Sequence, residues 1–160
     1  MPASSGRFVV PNAGADAAGS GAPSIEALFQ TNSLQVATDA HEAFANGIAD
    51  GSISLNPKLN YNLQARNFVD QQVRAANQVL ADQLELDSNT IRINQRLYTS
   101  DGSYSVPDIY FPQTGNIIDY SYQLKTIETP QIQRFIKASP GGTITIVPPA
   151  QIRPIYVIGP

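Results

Sequence analysis

Residues 90–125, TIRINQRLYTSDGSYSVPDIYFPQTGNIIDYSYQLK, decide the fold, because they contain three strand patterns separated by two turns. Apolar and polar side chains alternate along residues 90–98 and again along 116–125, which is the period of a β-strand. The pattern between them, residues 103–111, contains Pro107, and proline cannot donate a hydrogen bond to a neighbouring strand. Glycine-containing turns join the three patterns. The stretch predicts a three-strand meander with an edge or a bulge at Pro107.

Helical patterns lie on both sides of the meander. Residues 62–85 carry apolar side chains at intervals of four, three, four and four, which predicts one apolar helical stripe. After the meander, Thr129-Pro130 predicts a helix with threonine as the cap and proline at the first helical position. Residues 143–147 predict a fourth strand and residues 155–158 a fifth. A strand–helix–strand step after a meander predicts an α/β protein of α+β type, with helices packed on a mixed sheet.

The first third of the chain differs in composition from the rest. Seventeen of residues 1–24 are Ala, Gly, Ser or Pro, which predicts a flexible linker. Ser24 predicts the cap of a short helix, and residues 33–49 predict a second helix that stops at Asp50-Gly51. The expected organisation is therefore a linker over 1–24, a helical extension over 25–57 and the main domain over 58–160.

Composition excludes several kinds of chemistry. The chain has no cysteine, so thiol catalysis, disulfides and thiolate metal sites are excluded. Its single histidine, His41, excludes Ser-His and multi-histidine zinc sites within this chain, and Ala45 stands where a zinc helix needs its second histidine. Catalysis must therefore use carboxylates, Lys, Arg, Tyr, Ser or amides.

The charge is unevenly distributed along the chain. The formal net charge is -3, with residues 1–57 acidic and residues 58–160 nearly neutral. This overall charge argues neither for nor against a polyanionic partner. A protein that coats nucleic acid would be far more basic, so a bound nucleic acid would occupy a local groove. No apolar run reaches the roughly 20 residues that cross a bilayer, and the first residues lack the pattern of a classical signal peptide.

The third strand pattern concentrates polar chemistry on one face. In an extended strand over 116–125, Asp119, Ser121, Gln123 and Lys125 share a face, and Asp108 lies near Asp119 on the preceding strand. Two carboxylates with a lysine form a plausible Mg²⁺ site. The alternative is an exposed polar sheet face with a salt bridge, and alternation alone favours that alternative.

Val106-Pro107-Asp108 is followed by a turn, and Gln123-Leu124-Lys125 then lies in a strand after a helix and a hairpin. This arrangement resembles the PD-(D/E)XK nucleases. The resemblance covers residues 62–148 and implies a restriction-endonuclease-like core of helix, three strands, helix and strand. It implies that Asp108 is a metal ligand, that Lys125 is the catalytic lysine, and that Mg²⁺ or another divalent cation is the cofactor.

Gln123 departs from the family pattern, because it occupies the catalytic position where the family has Asp or Glu. Its amide oxygen can ligate a metal but brings no charge. If another carboxylate supplies the charge that Gln123 lacks, the candidates are Asp119, and Asp70 or Glu85 of the long helix. In an extended strand, Asp119 would lie roughly 13 Å from Gln123 and could not replace it atom for atom.

Substrate binding is expected beside this site. Arg92, Asn94 and Arg96 share one face of the first strand pattern and are candidates to hold a backbone phosphate, although cross-strand pairing of the arginines with Asp101 or Asp119 explains them equally well. The tyrosines of the sheet either stack on bases or cover sheet faces.

The function expected from the resemblance is metal-dependent endonuclease activity, with DNA as the first candidate substrate and RNA as the second. A small cysteine-free domain after an Ala/Gly/Ser-rich tether is also similar to the toxin domains of bacterial polymorphic toxins. This similarity implies secretion or delivery into the cytoplasm of a target cell, and an immunity protein as partner. The alternatives are a non-catalytic binding module on the same fold, with a degenerate site, and a carboxylate-based hydrolase of unrelated chemistry.

Overall fold

A computed structural model describes residues 23–159, so nearly all of the linker expected over 1–24 lies outside the described residues. The described chain forms the following helices and strands: α1 (Ile25–Asp50), α2 (Tyr61–Gln83), β1 (Arg92–Ile93), β2 (Leu97–Tyr98), β3 (Tyr104–Ser105), β4 (Ile109–Phe111), β5 (Asn116–Tyr120), α3 (Pro130–Ala138), β6 (Ile144–Val147) and β7 (Tyr156–Ile158). None of the helices within residues 23–159 combines the length and the apolar character needed to cross a membrane.

Five strands form one mixed sheet in the order β1-β4-β5-β6-β7, and β2 pairs with β3 in a separate hairpin. The β5–β6 pair is parallel and the other pairs are antiparallel. The parallel step follows from the α3 crossover, since two parallel neighbours need a connection that returns to the same end of the sheet. The predicted α+β class with a mixed sheet is confirmed.

Helices cover both faces of the sheet. Ile118 of β5 packs with Phe29 of α1 and Leu80 of α2. On the opposite face, Ile117 packs with Ile132 and Phe135 of α3. Adjacent residues of β5 thus point into two separate cores, as the alternation of a strand requires.

Helix α1 is one continuous helix, so the prediction of two helices over this region is wrong. Ser24 caps it, since its Oγ accepts a hydrogen bond from the Ala27 N–H at 3.1 Å. The polar residues at the expected break, Asn32 and Ser33, are buried and hydrogen bonded to Asn77 of α2. They serve the helix–helix contact and therefore do not interrupt the helix.

Helix α1 ends where the sequence indicates, and it contributes to the same core as α2 and the sheet. Gly51 closes it in the left-handed conformation at φ 84°, which glycine adopts without steric cost. Val36 and Ala40 of α1 pack against Val69 and Val73 of α2. The first part of the expected helical extension therefore buries its apolar stripe within the main domain.

The first predicted strand, 90–98, is divided into two short strands that belong to different sheets. Asn94 lies between them in the left-handed region at φ 54°, a conformation that asparagine tolerates better than most residues. Strand β1 pairs with β4, whereas β2 pairs with β3. The prediction that Arg92, Asn94 and Arg96 share one strand face is therefore wrong.

The second predicted strand is interrupted at Pro107, as the sequence indicates, and the third ends earlier than predicted. Strand β5 stops at Tyr120 rather than at Lys125. Continuing the β4–β5 register places Tyr120 opposite Pro107, which has no N–H to donate. On the β6 side, the Ser121 N–H still donates to the Val147 carbonyl. Pro148 and Pro149 follow β6 and have no N–H that could donate to the chain after β5.

The predictions for the remaining elements are confirmed to within a few residues. Helix α2 spans 61–83 against a prediction of 62–85, and α3 begins at Pro130. Thr129 precedes α3 but does not cap it through its side chain, because its Oγ1 accepts from the Thr126 N–H at 2.9 Å instead. Strands β6 and β7 lie within the predicted ranges 143–147 and 155–158.

Candidate functional site

A cleft of about 180 Å³ opens beyond the last residue of β5, between α2, the segment before β4, the loop 121–125 and the first turn of α3. The side chains that line it are mostly polar. They include five of the candidate residues from the sequence, Asp70, Asp108, Asp119, Gln123 and Lys125, together with Arg66, Arg74, Tyr120 and Gln131. A catalytic role is proposed for this cleft below, and for that reason we refer to it as the catalytic cleft.

Asp108 and Asp119 are held together by two hydrogen bonds to backbone amides. The Asp108 N–H donates to Oδ1 of Asp119 at 3.0 Å, and the Tyr120 N–H donates to Oδ2 of Asp108 at 2.7 Å. These bonds stand in the place of the β4–β5 ladder, which Pro107 cannot continue. The interruption of the sheet therefore positions the two carboxylates beside each other.

Burial makes this pair expensive to ionise. Each aspartate exposes only 4% of its surface. Burial raises the pKa of Asp108 to about 6, and the neighbouring Asp70 charge adds to the increase. Burial and the charge of Asp108 raise the pKa of Asp119 well above the ordinary carboxyl range. Near neutral pH the pair therefore carries negative charge that its surroundings stabilise poorly.

Helix α2 contributes a third carboxylate and an arginine to the cleft. Arg74 contacts Asp70 one turn earlier at 3.2 Å, and its Nε lies 3.5 Å from Oδ1 of Asp108. Burial raises the pKa of Asp70, while the charges of Arg74 and Arg66 oppose the increase. The repeat of charged residues every four positions, Arg66, Asp70 and Arg74, is the sequence signal for this wall of the cleft. Glu85 is exposed beyond the end of α2 and does not line the cleft.

Lys125 is positioned by two residues that the sequence did not reveal. Its Nζ donates to Oε1 of Gln131 in α3 at 3.1 Å, and its backbone N–H donates to the Tyr156 hydroxyl of β7 at 2.8 Å. Its positive charge also lowers the pKa of Asp119, against the larger effects of burial and Asp108. Neither Gln131 nor Tyr156 belongs to a recognisable motif, because both act through tertiary contacts from distant elements.

Gln123 reaches the same cleft from the loop after β5. The expectation that it shares a strand face with Asp119 is wrong, because the chain leaves the sheet after Tyr120. The Ser121 Oγ donates to the Gln123 carbonyl at 2.7 Å, which turns the loop back. The distance between Asp119 and Gln123 expected for an extended strand therefore does not apply, and both residues line the cleft.

The predicted phosphate-binding residues lie outside this cleft. Arg92 donates from Nε to the Ser88 carbonyl at 3.2 Å, and Arg96 lies over the Tyr104 ring at 4.5 Å. Asn94 occupies the turn between β1 and β2, with its side-chain oxygen buried and without a partner in residues 23–159. The structure does not bring these three side chains together with the carboxylates.

Tyr120 adds an unusual feature to the cleft. Its side chain is buried, and its hydroxyl has no hydrogen-bond partner within the described chain. Burial raises the pKa of this hydroxyl, so it is a neutral donor at any ordinary pH. A buried hydroxyl without a partner is costly, and this one lies among the apolar side chains that α1 and α2 pack against β5.

The donor set determines which metal chemistry this cleft supports. Within residues 23–159 no three His, Cys, Asp or Glu side chains are grouped closely enough to hold a metal ion by themselves. The cleft offers paired carboxylates and an amide oxygen. Mg²⁺ binds hard oxygen donors of this kind, with water or phosphate oxygens completing its coordination shell.

Comparison of the chain with protein-family models, with curated proteins and with solved structures finds no significant match.

Proposed function

We propose that this protein is a metal-dependent nuclease with a restriction-endonuclease-like core, and that it hydrolyses phosphodiesters of DNA or RNA. The observation that carries the proposal is the catalytic cleft, in which the bonded pair Asp108–Asp119 meets Lys125 and Gln123. The order α2, β1, β4, β5, α3, β6 supports the proposed core. Carboxylate oxygens that suit a divalent cation, together with a lysine in the same cleft, support metal-assisted hydrolysis of an anionic ester.

The resident metal in this proposal is Mg²⁺ or another divalent cation, and the donor set fits it. Asp108 and Asp119 would supply charged oxygens, and Gln123 a neutral one. Their raised pKa values support this assignment, because a nearby cation would stabilise the ionised pair. A bound ion would polarise the scissile phosphate and stabilise the charge that develops on it.

The side chains of the cleft have distinct roles in the proposal. Lys125, fixed by Gln131, would orient the attacking water and stabilise developing negative charge. Arg74 would hold Asp108 and Asp70 in place from α2. The residues thus bind, orient and balance charge around one reacting centre.

The direct test is incubation of the purified protein with plasmid DNA and with total RNA, with Mg²⁺ or with a chelator. We expect cleavage with Mg²⁺ and none with chelator. Asp108→Asn should abolish cleavage, because it removes a charged ligand. The matched control is Asp82→Asn on the exposed face of α2, where the carboxylate bonds only to Gln78. Equal cleavage by Asp108→Asn and wild type would overturn the proposal.

We further propose that the nuclease acts as the toxic effector domain of a secreted bacterial toxin, with a cognate immunity protein. The resemblance to polymorphic toxin domains is the support for this part of the proposal. Induced expression in a bacterial cytoplasm should stop growth with the wild type and not with Asp108→Asn. If both strains grow normally while both proteins accumulate, the toxin assignment is wrong, whatever the activity in vitro.

A non-catalytic binding module is the second candidate. It is favoured by Gln123 at a position where the related nucleases carry a carboxylate, and by the absence of a three-carboxylate cluster in the described residues. Nucleic acid binding without cleavage at any divalent metal concentration would support the binding module over the nuclease.

A further inference from the structure

A second pocket, of about 260 Å³, continues the catalytic cleft along the first turns of α2. The two share Arg66 and Gln123 in their walls, so a chain that leaves the catalytic cleft on this side enters the second pocket directly. The second pocket is lined by Asn60, Asn62, Leu63, Arg66, Tyr122 and Gln123. We call it the flanking pocket.

The chemistry of the flanking pocket differs from that of the catalytic cleft. It contains no carboxylate among its lining residues, but three amides, one guanidinium, one aromatic ring and one leucine. The ring of Tyr122 is half-buried and packs on His41 of α1 at a centroid distance of 5.6 Å, which fixes its orientation. Arg66 makes no ion pair within residues 23–159.

Each of these groups matches one part of a nucleotide. The amides of Asn62 and Gln123 can both donate to and accept from the edge of a base, whereas the Asn60 oxygen accepts the Leu63 N–H bond that caps α2. A fixed aromatic ring stacks on a base of any sequence. A guanidinium at the boundary between two pockets can hold the phosphate that links the nucleotides on either side.

We propose that the flanking pocket binds one unpaired nucleotide adjacent to the scissile phosphate, and that the preferred substrate is therefore single-stranded or locally unpaired nucleic acid. The inference rests on the proposed nuclease function for its reference to a scissile phosphate. Its physical basis is that a base within a duplex is stacked on both faces and paired on its edge. Such a base cannot enter a pocket of this size without leaving the helix, at a cost of a few kcal/mol.

Binding without cleavage tests the proposal directly. Fluorescence anisotropy in chelator would compare a labelled 12-nucleotide single strand with the blunt duplex of the same sequence, at fixed salt. We expect tighter binding of the single strand. Tyr122→Ala should weaken that binding by about 5- to 150-fold, the range for loss of one base stack, and leave duplex binding unchanged. The control is Tyr98→Ala, an exposed tyrosine on β2 that lines neither pocket.

A second variant covers the case in which Tyr122→Ala perturbs the contact with α1. Arg66→Gln keeps the helix and removes the charge, so it should weaken single-strand binding and reduce the dependence of log affinity on log salt by about one phosphate contact. Tighter binding of the duplex, or unchanged single-strand binding in both variants, overturns the proposal.

The outcomes separate this inference from the nuclease proposal. Cleavage with Mg²⁺ together with tighter binding of the duplex would contradict the role proposed for the flanking pocket and would support the nuclease proposal. Single-strand binding that depends on Tyr122 and Arg66, without any cleavage, would support the pocket and overturn the nuclease.

Discussion

Asp108 and Asp119 bond across the point where the β4–β5 ladder fails, with the amide of the first donating to the carboxylate of the second at 3.0 Å. The residue that causes the failure is Pro107, directly before Asp108. The sheet interruption and the site are therefore one feature, because the Tyr120 amide, which lies opposite Pro107 when the β4–β5 register is continued, donates to the carboxylate of Asp108. Two buried acids side by side oppose folding when ionised, which gives the site a measurable signature.

The first prediction concerns the pH dependence of stability. The pKa values of Asp108 and Asp119 are raised in the folded protein, Asp108 to about 6, so folding binds their protons more tightly than the unfolded chain does. Their contribution to the unfolding free energy is therefore fully present below pH 4 and is lost as pH rises through about 6. Asp119→Asn removes one charge and should stabilise the protein at pH 7.5 by about 1–2 kcal/mol, with little effect at pH 4.

Thermal unfolding of wild type and Asp119→Asn between pH 4 and pH 8, in chelator, measures this difference. Asp82→Asn serves as the control, since that carboxylate is exposed on α2. A constant difference between wild type and Asp119→Asn across the pH range would contradict the mutual repulsion argued here.

The second prediction concerns Lys125. Lys125→Met keeps the length of the side chain, removes its charge and leaves its backbone bond to Tyr156 intact. We expect the cleavage rate to fall at least 100-fold, a typical loss for a group that orients a nucleophile or stabilises developing charge. The unfolding free energy should fall by only about 0.5–1.5 kcal/mol, because the variant loses the bond to Gln131 and a positive charge that favours ionised Asp119. Lys137→Met on α3, whose ammonium pairs only with Asp101, is the matched control. Cleavage by Lys125→Met at the wild-type rate would remove Lys125 from the reaction.

The third prediction concerns Tyr156, which we expect to act as a positioning residue. Tyr156→Phe removes the hydroxyl that accepts from the Lys125 backbone N–H at 2.8 Å. The loop should then lose one restraint, so kcat should fall about tenfold with KM and metal affinity unchanged. Tyr98→Phe is the control hydroxyl deletion. A change in KM with an unchanged kcat would show that Tyr156 serves substrate binding instead.

The sequence predicts those elements whose signals are local. The interruption at Pro107 depends on the absence of one N–H, and the end of α1 at Gly51 depends on a left-handed residue. Sequence also indicated five residues of the catalytic cleft. Asp108 and Asp119 follow from strand pairing, Gln123 and Lys125 from the motif, and Asp70 from the acidic positions of the long helix. These are properties of a few neighbouring residues, which a linear pattern can carry.

The remaining features depend on contacts between distant elements. The end of β5 at Tyr120 depends on prolines that lie just before β4 and just after β6, and no pattern within 116–125 shows it. The division of the first strand depends on the left-handed conformation of Asn94. An asparagine at this position does not by itself indicate that conformation. Gln131 and Tyr156 meet Lys125 only because α3 and β7 return to the same end of the sheet.

The fourth prediction concerns stability outside the site. Glu85 follows the end of α2 with φ 53°, a left-handed conformation that costs a residue with a Cβ about 1–2 kcal/mol. Glycine removes this cost but adds entropy to the unfolded chain, so Glu85→Gly should stabilise the protein by about 0.5–1 kcal/mol. Chemical denaturation measures the difference. Because Glu85 does not line the catalytic cleft, nuclease activity should be unchanged. A loss of metal affinity in this variant would instead indicate that Glu85 is a metal ligand.

The last prediction uses Gln123 to separate a nuclease from a binding module. Gln123→Glu introduces the carboxylate that the PD-(D/E)XK nucleases carry in the motif that residues 123–125 resemble, and it adds a negative charge to a cleft that already holds Asp108 and Asp119. If Gln123 is a working ligand, Mg²⁺ should bind more tightly, and half-maximal cleavage should shift to a metal concentration about tenfold lower. The same added charge should raise the pKa values of the two aspartates further, so the gain should grow from pH 6.5 to pH 8.

Metal titrations of cleavage by wild type and Gln123→Glu, at both pH values, distinguish the possible outcomes. If neither protein cleaves and nucleic acid binding is unchanged, the cleft belongs to a binding module. If an existing activity is lost, the amide must perform a task that a carboxylate cannot, such as donating its N–H to a phosphate oxygen. Gln123→Ala separates that case from simple loss of a ligand, because added metal should rescue a lost ligand and not a lost donor. Gln133→Glu, on the exposed side of α3, controls for the added charge alone.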